Sequence, residues 1–185
     1  MNARPCENCH MNAKLKAGVI GLGVGEQHVQ TYLQHPHIAL KSICDFERAK
    51  LDAVGERYGI AKRTTEADEV LRDGEIDVVS IATYDQYHHR QIVTALQNDK
   101  HVFVEKPLCV NREEAEDIRR WSQRKSGLRI SSNVILRKSP RFLELKKRVD
   151  DGEFGELYHV EADYLYGRLE KITTGWRGRE PFYSV

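Results

Sequence analysis

Between Leu15 and Lys125, short and nearly uninterrupted apolar runs alternate with segments whose apolar residues recur at helical spacing. The runs are Lys16-Ala-Gly-Val-Ile-Gly-Leu22, Ile38-Ala-Leu-Lys-Ser-Ile-Cys44, Val78-Val-Ser-Ile-Ala82 and His101-Val-Phe-Val104. They are short and too apolar to leave a face wetted, the pattern of strands buried on both sides. Between them, Val29, Tyr32 and Leu33 share one face of a helix over 25–35, and Leu51, Val54 and Tyr58 one over 46–58 that Gly59 stops. Val70 and Leu71 mark a short helix, and Ile92, Val93 and Leu96 the inward side of another over 86–98. Asn111 caps a helix running to Lys125, with Glu113 and Glu114 in its first turn and Glu116 four residues before Arg120. Strands joined by helical crossovers lie parallel, and each crossover lays a helix over the sheet. The expected fold is α/β, a doubly wound parallel sheet.

After residue 132 the pattern changes. A helix over Ser139–Asp150 sets Phe142, Leu145 and Val149 against Lys146, Lys147 and Arg148, and Gly152 and Gly155 bracket a turn. From Leu157 to Tyr166 apolar and polar residues alternate, which predicts an antiparallel strand with one buried face. A lone strand of this kind neither buries its face nor satisfies its edges. Residues 133–185 are therefore expected to be an incomplete second domain, after a first domain over 15–132. Residues 1–14 show no period and are expected to be a poorly ordered leader, with Met11 just ahead of the regular pattern.

Lys and Arg number 29 against 28 Asp and Glu, a net charge of +1, which removes the electrostatic basis for nucleic-acid binding. The longest nearly apolar run, Ala17–Gly25, is less than half of the ~20 residues a membrane helix needs. The start of the chain lacks a secretory layout, so a cytoplasmic protein with reduced thiols at Cys6, Cys9, Cys44 and Cys109 is expected. Cys6-Glu-Asn-Cys9-His10 matches the spacing of haem attachment and offers three zinc ligands. Haem attachment needs export and a haem pocket, neither foreshadowed here, and the expectation is an inert leader without metal.

The residues that carry chemistry cluster at the ends of the predicted strands. Gly21-Leu-Gly23-Val24-Gly25 follows the first strand and opens the first helix, where glycines permit a tight turn and let backbone amides approach a pyrophosphate. The third glycine comes one residue early for Gly-x-Gly-x-x-Gly, since position 26 is Glu. Asp45 ends the second strand, 22 residues beyond Gly23. There an acid accepts bonds from ribose hydroxyls and repels a 2′-phosphate, favouring NAD over NADP, although Arg48 nearby softens the preference. Asp45 equally suits the N-cap of the following helix, and the two roles are compatible. Thr83-Tyr-Asp-Gln-Tyr-His88-His89 follows the Val78–Ala82 strand, placing His88 and His89 near a cofactor or substrate. Adjacent histidines on a helix diverge, which disfavours a metal site. Glu105-Lys106-Pro107 follows the His101–Val104 strand, its proline suited to a cis bond. A lysine there is either a surface partner of Glu105 or a group that exchanges a proton with a substrate during hydride transfer.

Together these residues resemble the Gfo/Idh/MocA family of NAD(P)-dependent oxidoreductases. The matching stretches are Ala17-Gly-Val-Ile-Gly-Leu-Gly-Val-Gly-Glu-Gln-His28, Asp45, Ile81-Ala-Thr83 with His88, and Val104-Glu-Lys-Pro-Leu108. Asn133, Arg137 and Pro140 resemble the lead into the family's second domain, and Gly175-Trp-Arg177 a loop over its substrate site. The resemblance implies a Rossmann domain followed by an α/β domain on an open antiparallel sheet that carries the substrate site and commonly an oligomer contact. It implies oxidation of a secondary alcohol on a sugar, cyclitol or nucleotide sugar, or the reverse. Lys106 would be catalytic, and Gly21, Gly23, Val24, Gly25, Asp45, Thr83, His88 and Glu105 would line the cofactor, NAD with NADP left open. Two departures stand out. Tyr84-Asp85 replaces the family's frequent Pro-Asn, and the family's downstream Asp and His lie beyond residue 185. Full members are about twice this length, so the chain alone is expected to turn over little. A homo-oligomer is expected of the complete protein; a non-catalytic NAD-binding module or an inactive gene remnant are the alternatives.

Overall fold

Among the described residues, six strands form one all-parallel sheet in the order β3-β2-β1-β4-β5-β6. They are β1 (Leu15–Ile20), β2 (Ile38–Cys44), β3 (Arg63–Thr64), β4 (Val78–Ile81), β5 (His101–Val104) and β6 (Ile130–Ser132). The structure, a computed structural model, describes residues 14–165 together with 167, 170 and 174. Cys6, Cys9, His10, Tyr166 and the Gly175-Trp-Arg177 segment fall outside the described residues. The helices of the first unit are α1 (Gly25–Gln34), α2 (Arg48–Arg57), α3 (Ala67–Leu71), α4 (His88–Gln97) and α5 (Arg112–Arg124).

The chain moves one way from β1 through β2 to β3 and the other way from β4 through β5 to β6. Right-handed crossovers in opposite directions put their helices on opposite faces, and the core divides accordingly. Val19, Leu22, Val29, Ile43, Leu51, Val54 and Ile60 form the cluster under α1 and α2. Ile20, Val79, Ile81, Val102 and Val104 pack with Ile92 and Leu96 of α4 and Ile118 of α5 in the other. Val19 and Ile20, neighbours on β1, go to opposite clusters, which is why the strand reads as continuously apolar.

The Asn111 cap forms as expected, its side chain accepting the Glu114 N–H at 2.8 Å. Four differences from the sequence reading have local causes. The edge strands β3 and β6 are two and three residues long, too short for a readable period. The helix expected from residue 86 begins as a 3-10 turn over Asp85–Tyr87. Leu33 continues the stripe of Gly25 and Val29 but lies in the last turn of α1, beyond its buried part, and is exposed. Residues 157–165 form no strand, and Tyr158 is 98% exposed, because no strand among the described residues offers its backbone a ladder. The open antiparallel sheet expected for the second domain is thus not seen. The chain divides into a unit ending at Asn133 and one beginning at Val134. The latter holds α6 (Pro140–Asp150), with Pro140 in its first turn and Phe142, Leu145 and Val149 exposed.

Lys100, in the turn before β5, is buried and donates to the carbonyls of Asp73 and Ile76, the latter at 2.9 Å. Burial pushes its ammonium below the ordinary 10.5, against the opposing charges of Asp73, Asp77 and Asp99. The native state therefore binds fewer protons than the unfolded chain between the folded value and 10.5, and stability from this group rises with pH across that window. Lys100→Met keeps the bulk but takes the donor from the buried Ile76 carbonyl, while the Asp73 carbonyl still accepts the Ile76 N–H at 3.1 Å. It is expected to cost about 1–3 kcal/mol in urea unfolding at pH 7 and to remove that alkaline rise.

Candidate functional site

The strand order reverses between β1 and β4, and the loops leaving their carboxyl ends meet there. Gly21 has φ +87°, and a Cβ on it would stand 2.4 Å from the Ala82 carbonyl oxygen, so the turn admits no side chain. Gly25 opens α1, and a Cβ there would lie 3.1 Å from Ala82 Cβ and 3.2 Å from Val19 Cγ1. Helix and strand therefore pack at backbone distance. Gly23 is different: a Cβ there would meet nothing within 4 Å. Nothing inside the chain requires a glycine at 23, and the surface above it is open.

The loop amides sort in the same way. Gly21 N–H donates to the Cys44 carbonyl at 2.8 Å, and Leu22 N–H to Asp45 Oδ2 at 2.7 Å. Those of Gly23, Val24 and Gly25 find no acceptor among the described residues. Unpaired amides at a helix start carry partial positive charge and suit an anion. Glu26, where the spacing Gly-x-Gly-x-x-Gly would place a glycine, accepts from Arg57 and, at 3.0 Å, from the Tyr58 hydroxyl, tying α1 to the end of α2.

Asp45 is buried at the end of β2. Its second oxygen, Oδ1, accepts the Glu47 N–H at 2.9 Å, and Lys50 Nζ stands 3.8 Å from Oδ2. The N-cap of α2 is Glu47, without a side-chain cap bond, so Asp45 is not the helix cap. It turns the chain ahead of the helix and fastens the glycine loop. Arg48 pairs with Asp52 at 2.9 Å. Beside Asp45, Phe46 is 66% exposed, with its ring 5.7 Å from that of Tyr84 and Lys50 Nζ 5.9 Å above it. Nothing in the sequence reading singled out Phe46; an apolar aromatic straight after a strand-end acid was the available signal.

Thr83 donates through Oγ1 to Gln91 Oε1 at 2.7 Å. His88 is corrected. It is fully buried, with Nδ1 2.6 Å from the Pro107 carbonyl oxygen and Nε2 3.2 Å from that of Thr83. A ring with no exposed surface cannot meet a ligand; it joins the loop after β4 to the loop after β5. His89 turns away to pair with Asp117 at 3.0 Å.

Lys106 is exposed at the carboxyl end of β5, and its peptide bond to Pro107 is cis. Its ammonium makes no hydrogen bond or ion pair among the described residues, so it is not a surface partner of Glu105. Glu105 turns inward instead. Its Oε1 lies 3.1 Å from His28 Nε2 and accepts Asn133 Nδ2 at 2.7 Å, and its Oε2 faces the Lys106 N–H at 3.3 Å. Burial raises this carboxyl, but the bonds from His28 and Asn133 outweigh it and hold the group below its ordinary value. His28 in this role, with Ser80 on its other nitrogen at 2.6 Å, was not legible as a contact from sequence.

A family model, GFO_IDH_MocA, described as an oxidoreductase family with an NAD-binding Rossmann fold, matches residues 15–133. Among curated proteins, a scyllo-inositol 2-dehydrogenase (NAD(+)) of Bacillus subtilis is 30% identical over 148 residues, covering 79% of this chain and 43% of that protein. A glycosyl hydrolase family 109 protein of Shewanella woodyi is 31% identical over 183 residues, covering 88% and 38%. Among solved structures, scyllo-inositol dehydrogenase from Lactobacillus casei with bound NAD(H) and scyllo-inositol superposes with a TM-score of 0.72 at 27% identity, covering 77% of this chain and 43% of that one. The chain spans about two fifths of the length of the curated relatives it matches.

The three glycines should separate in an unfolding experiment. Gly21→Ala meets both a left-handed φ and the Ala82 carbonyl and is expected to cost about 1–3 kcal/mol. Gly23→Ala meets nothing and should stay within about 0.5 kcal/mol of the parent chain by urea titration.

Proposed function

The chain belongs to the Gfo/Idh/MocA oxidoreductase family, and from that premise we propose that it is the cofactor-binding part of a dehydrogenase acting on a secondary alcohol. The substrate class is a sugar, cyclitol or nucleotide sugar. The observation that carries the reading is the open position above Gly23, flanked by the unpaired amides of Gly23, Val24 and Gly25 at the strand-order reversal. A glycine that no internal contact requires is explained by a ligand that approaches the backbone closely.

The residues present fit a nicotinamide dinucleotide. When bound, its nicotinamide ring supplies the carbon that takes up or gives hydride. The amides of Gly23 and Val24 would receive the pyrophosphate, with Gly21 and Gly25 setting the loop under it. Asp45 keeps lone pairs beyond its two amide bonds for ribose hydroxyls, and its charge opposes a 2′-phosphate, which favours NAD over NADP. Exposed Phe46 offers an apolar face beside that end. Thr83 shapes the loop after β4, and the buried His88 ring sits between its carbonyl and that of Pro107. Lys106, its amine unpaired and facing outward, is the group to exchange a proton with the substrate hydroxyl, and Glu105 sets the backbone beneath it. The second acid or base would come from outside these 185 residues, as would most substrate contacts. A homo-oligomer of the complete protein and a cytoplasmic location complete the reading. No helix among the described residues is long and apolar enough to cross a membrane.

A second reading has its own support: the match to the family 109 glycosyl hydrolase runs over 183 residues, beyond the Rossmann unit. On that reading the ligand is a glycoside rather than a free cyclitol. A module that binds NAD without turnover is the third, and the two-fifths coverage of the relatives favours it for this chain in isolation.

Calorimetric titration of the 185-residue chain with NAD and NADP tests the common core. Measurable NAD binding, weaker NADP binding and a loss of at least about tenfold in NAD affinity for Gly23→Ala are expected, because a methyl group would occupy the pyrophosphate's place. Unchanged affinity in Gly23→Ala would sink the assignment. In a turnover assay with cyclitols, sugars and aryl glycosides on the complete protein, Lys106→Ala is expected to lower kcat about 100-fold or more while NAD affinity holds.

A further inference from the structure

We infer that His28 is a positioning residue for Lys106, acting through the Glu105 carboxylate. The inference rests on the reading of Lys106 as the proton-exchanging amine. His28 projects from α1 across the sheet and is held on three sides. Nδ1 lies 2.6 Å from Ser80 Oγ on β4, the ring meets Phe103 of β5 edge-on at 5.3 Å, and Nε2 reaches Glu105 Oε1 at 3.1 Å. A carboxylate only accepts, so the ring hydrogen belongs on Nε2, and Nδ1 accepts from the Ser80 hydroxyl.

The same Glu105 oxygen takes Asn133 from the end of β6, and the other faces the Lys106 N–H. The carboxylate is thus tied to α1, to β6 and to the residue that follows it. Lys106 itself contributes no side-chain anchor, so where its chain starts is decided by its backbone. That backbone is joined to the rest of the unit on this side through Glu105. Both His28 and Glu105 are largely buried, with side chains 11% and 14% exposed, so water does not readily replace either partner.

Two substitutions split this role from simple space-filling. In His28→Gln the amide nitrogen reaches the place of Nε2 and keeps a donor to Glu105. In His28→Asn a polar atom stays at the place of Nδ1 beside Ser80, and Glu105 loses its donor. Isotope-labelled protein gives two readouts by NMR: the titration midpoint of the Glu105 carboxyl carbon and hydrogen exchange of the Lys106 amide. The groups facing that carboxyl are His28 from α1, Asn133 just after β6 and the Lys106 amide of its own loop. His28→Asn is expected to raise the midpoint by about one pH unit and to speed Lys106 exchange about tenfold. His28→Gln should stay close to the parent on both.

Equal behaviour of the two variants, or the reverse order, overturns the inference. If His28→Asn does not fold, the ring nitrogen shifts of the parent protein decide. A hydrogen on Nε2 supports the inference, and a neutral ring with its hydrogen on Nδ1 overturns it. NAD titration of the same samples keeps the two proposals apart. A parent chain that binds no NAD refutes the cofactor reading while leaving the Glu105 and Lys106 readouts intact. Normal NAD binding with an unmoved Glu105 midpoint in His28→Asn refutes only the positioning role.

Discussion

The approach of Gly21 to the Ala82 carbonyl is the constraint on which the rest of the first unit depends. A parallel sheet that reverses its strand order must splay the loops on either side of the reversal, and a ligand crevice opens where they part. Here the loops leaving β1 and β4 touch at their bases, at a distance that leaves no room for a Cβ, and only beyond that contact do they diverge. The base contact fixes the direction in which Gly23, Val24 and the first turn of α1 face. Without it, the unpaired amides would have no fixed relation to the loops after β4 and β5.

Buried polar groups complete the arrangement, each joining two of these loops. Asp45 links the end of β2 to the glycine loop, and His88 links the loops after β4 and β5. His28 links α1 to both β4 and the residue before Lys106. An apolar core is tolerant of small displacements, whereas a buried donor facing a buried acceptor is not, since separation leaves both unsatisfied. The sheet supplies stability through its two apolar clusters, and these few polar contacts set the geometry at its carboxyl edge.

The division between what was readable from sequence and what was not follows the same line. The alternation of apolar runs and helical stripes revealed β1, β2, β4 and β5 and the helices between them, because burial on both faces leaves an unmistakable composition. The glycine loop and Glu105-Lys106-Pro107 were readable because their residue types are unusual just after a strand. The partners were not. Whether His88 meets a ligand or two carbonyls depends on tertiary distances to Pro107 and Thr83, and nothing near it in sequence encodes them. His28 sits beside the buried stripe of Gly25 and Val29, so its inward direction was inferable, but its approach to Glu105, 77 residues away, was not. For residues 157–165 the local pattern is that of a strand, and the absence of a neighbouring strand among the described residues overrides it. Period sets which face a strand would bury; it does not supply the ladder.

The role proposed for Lys106 accounts for the way the carboxyl edge is built. In that role its amine must keep its own hydrogen-bonding capacity open, so it cannot be fixed by contacts to its charged end. What remains is to fix the residues on either side. Glu105 is held by His28 of α1 and by Asn133 just after β6, and the Pro107 carbonyl by His88 of α4. The helices α1 and α4 carry the chain in opposite directions from the strand-order reversal and so lie on opposite faces of the sheet. The backbone of Lys106 is therefore restrained from both faces while its side chain stays free. Much of the ordering that a reactive amine would otherwise lose at the moment of reaction is already made in folding, which is the physical content of preorganisation.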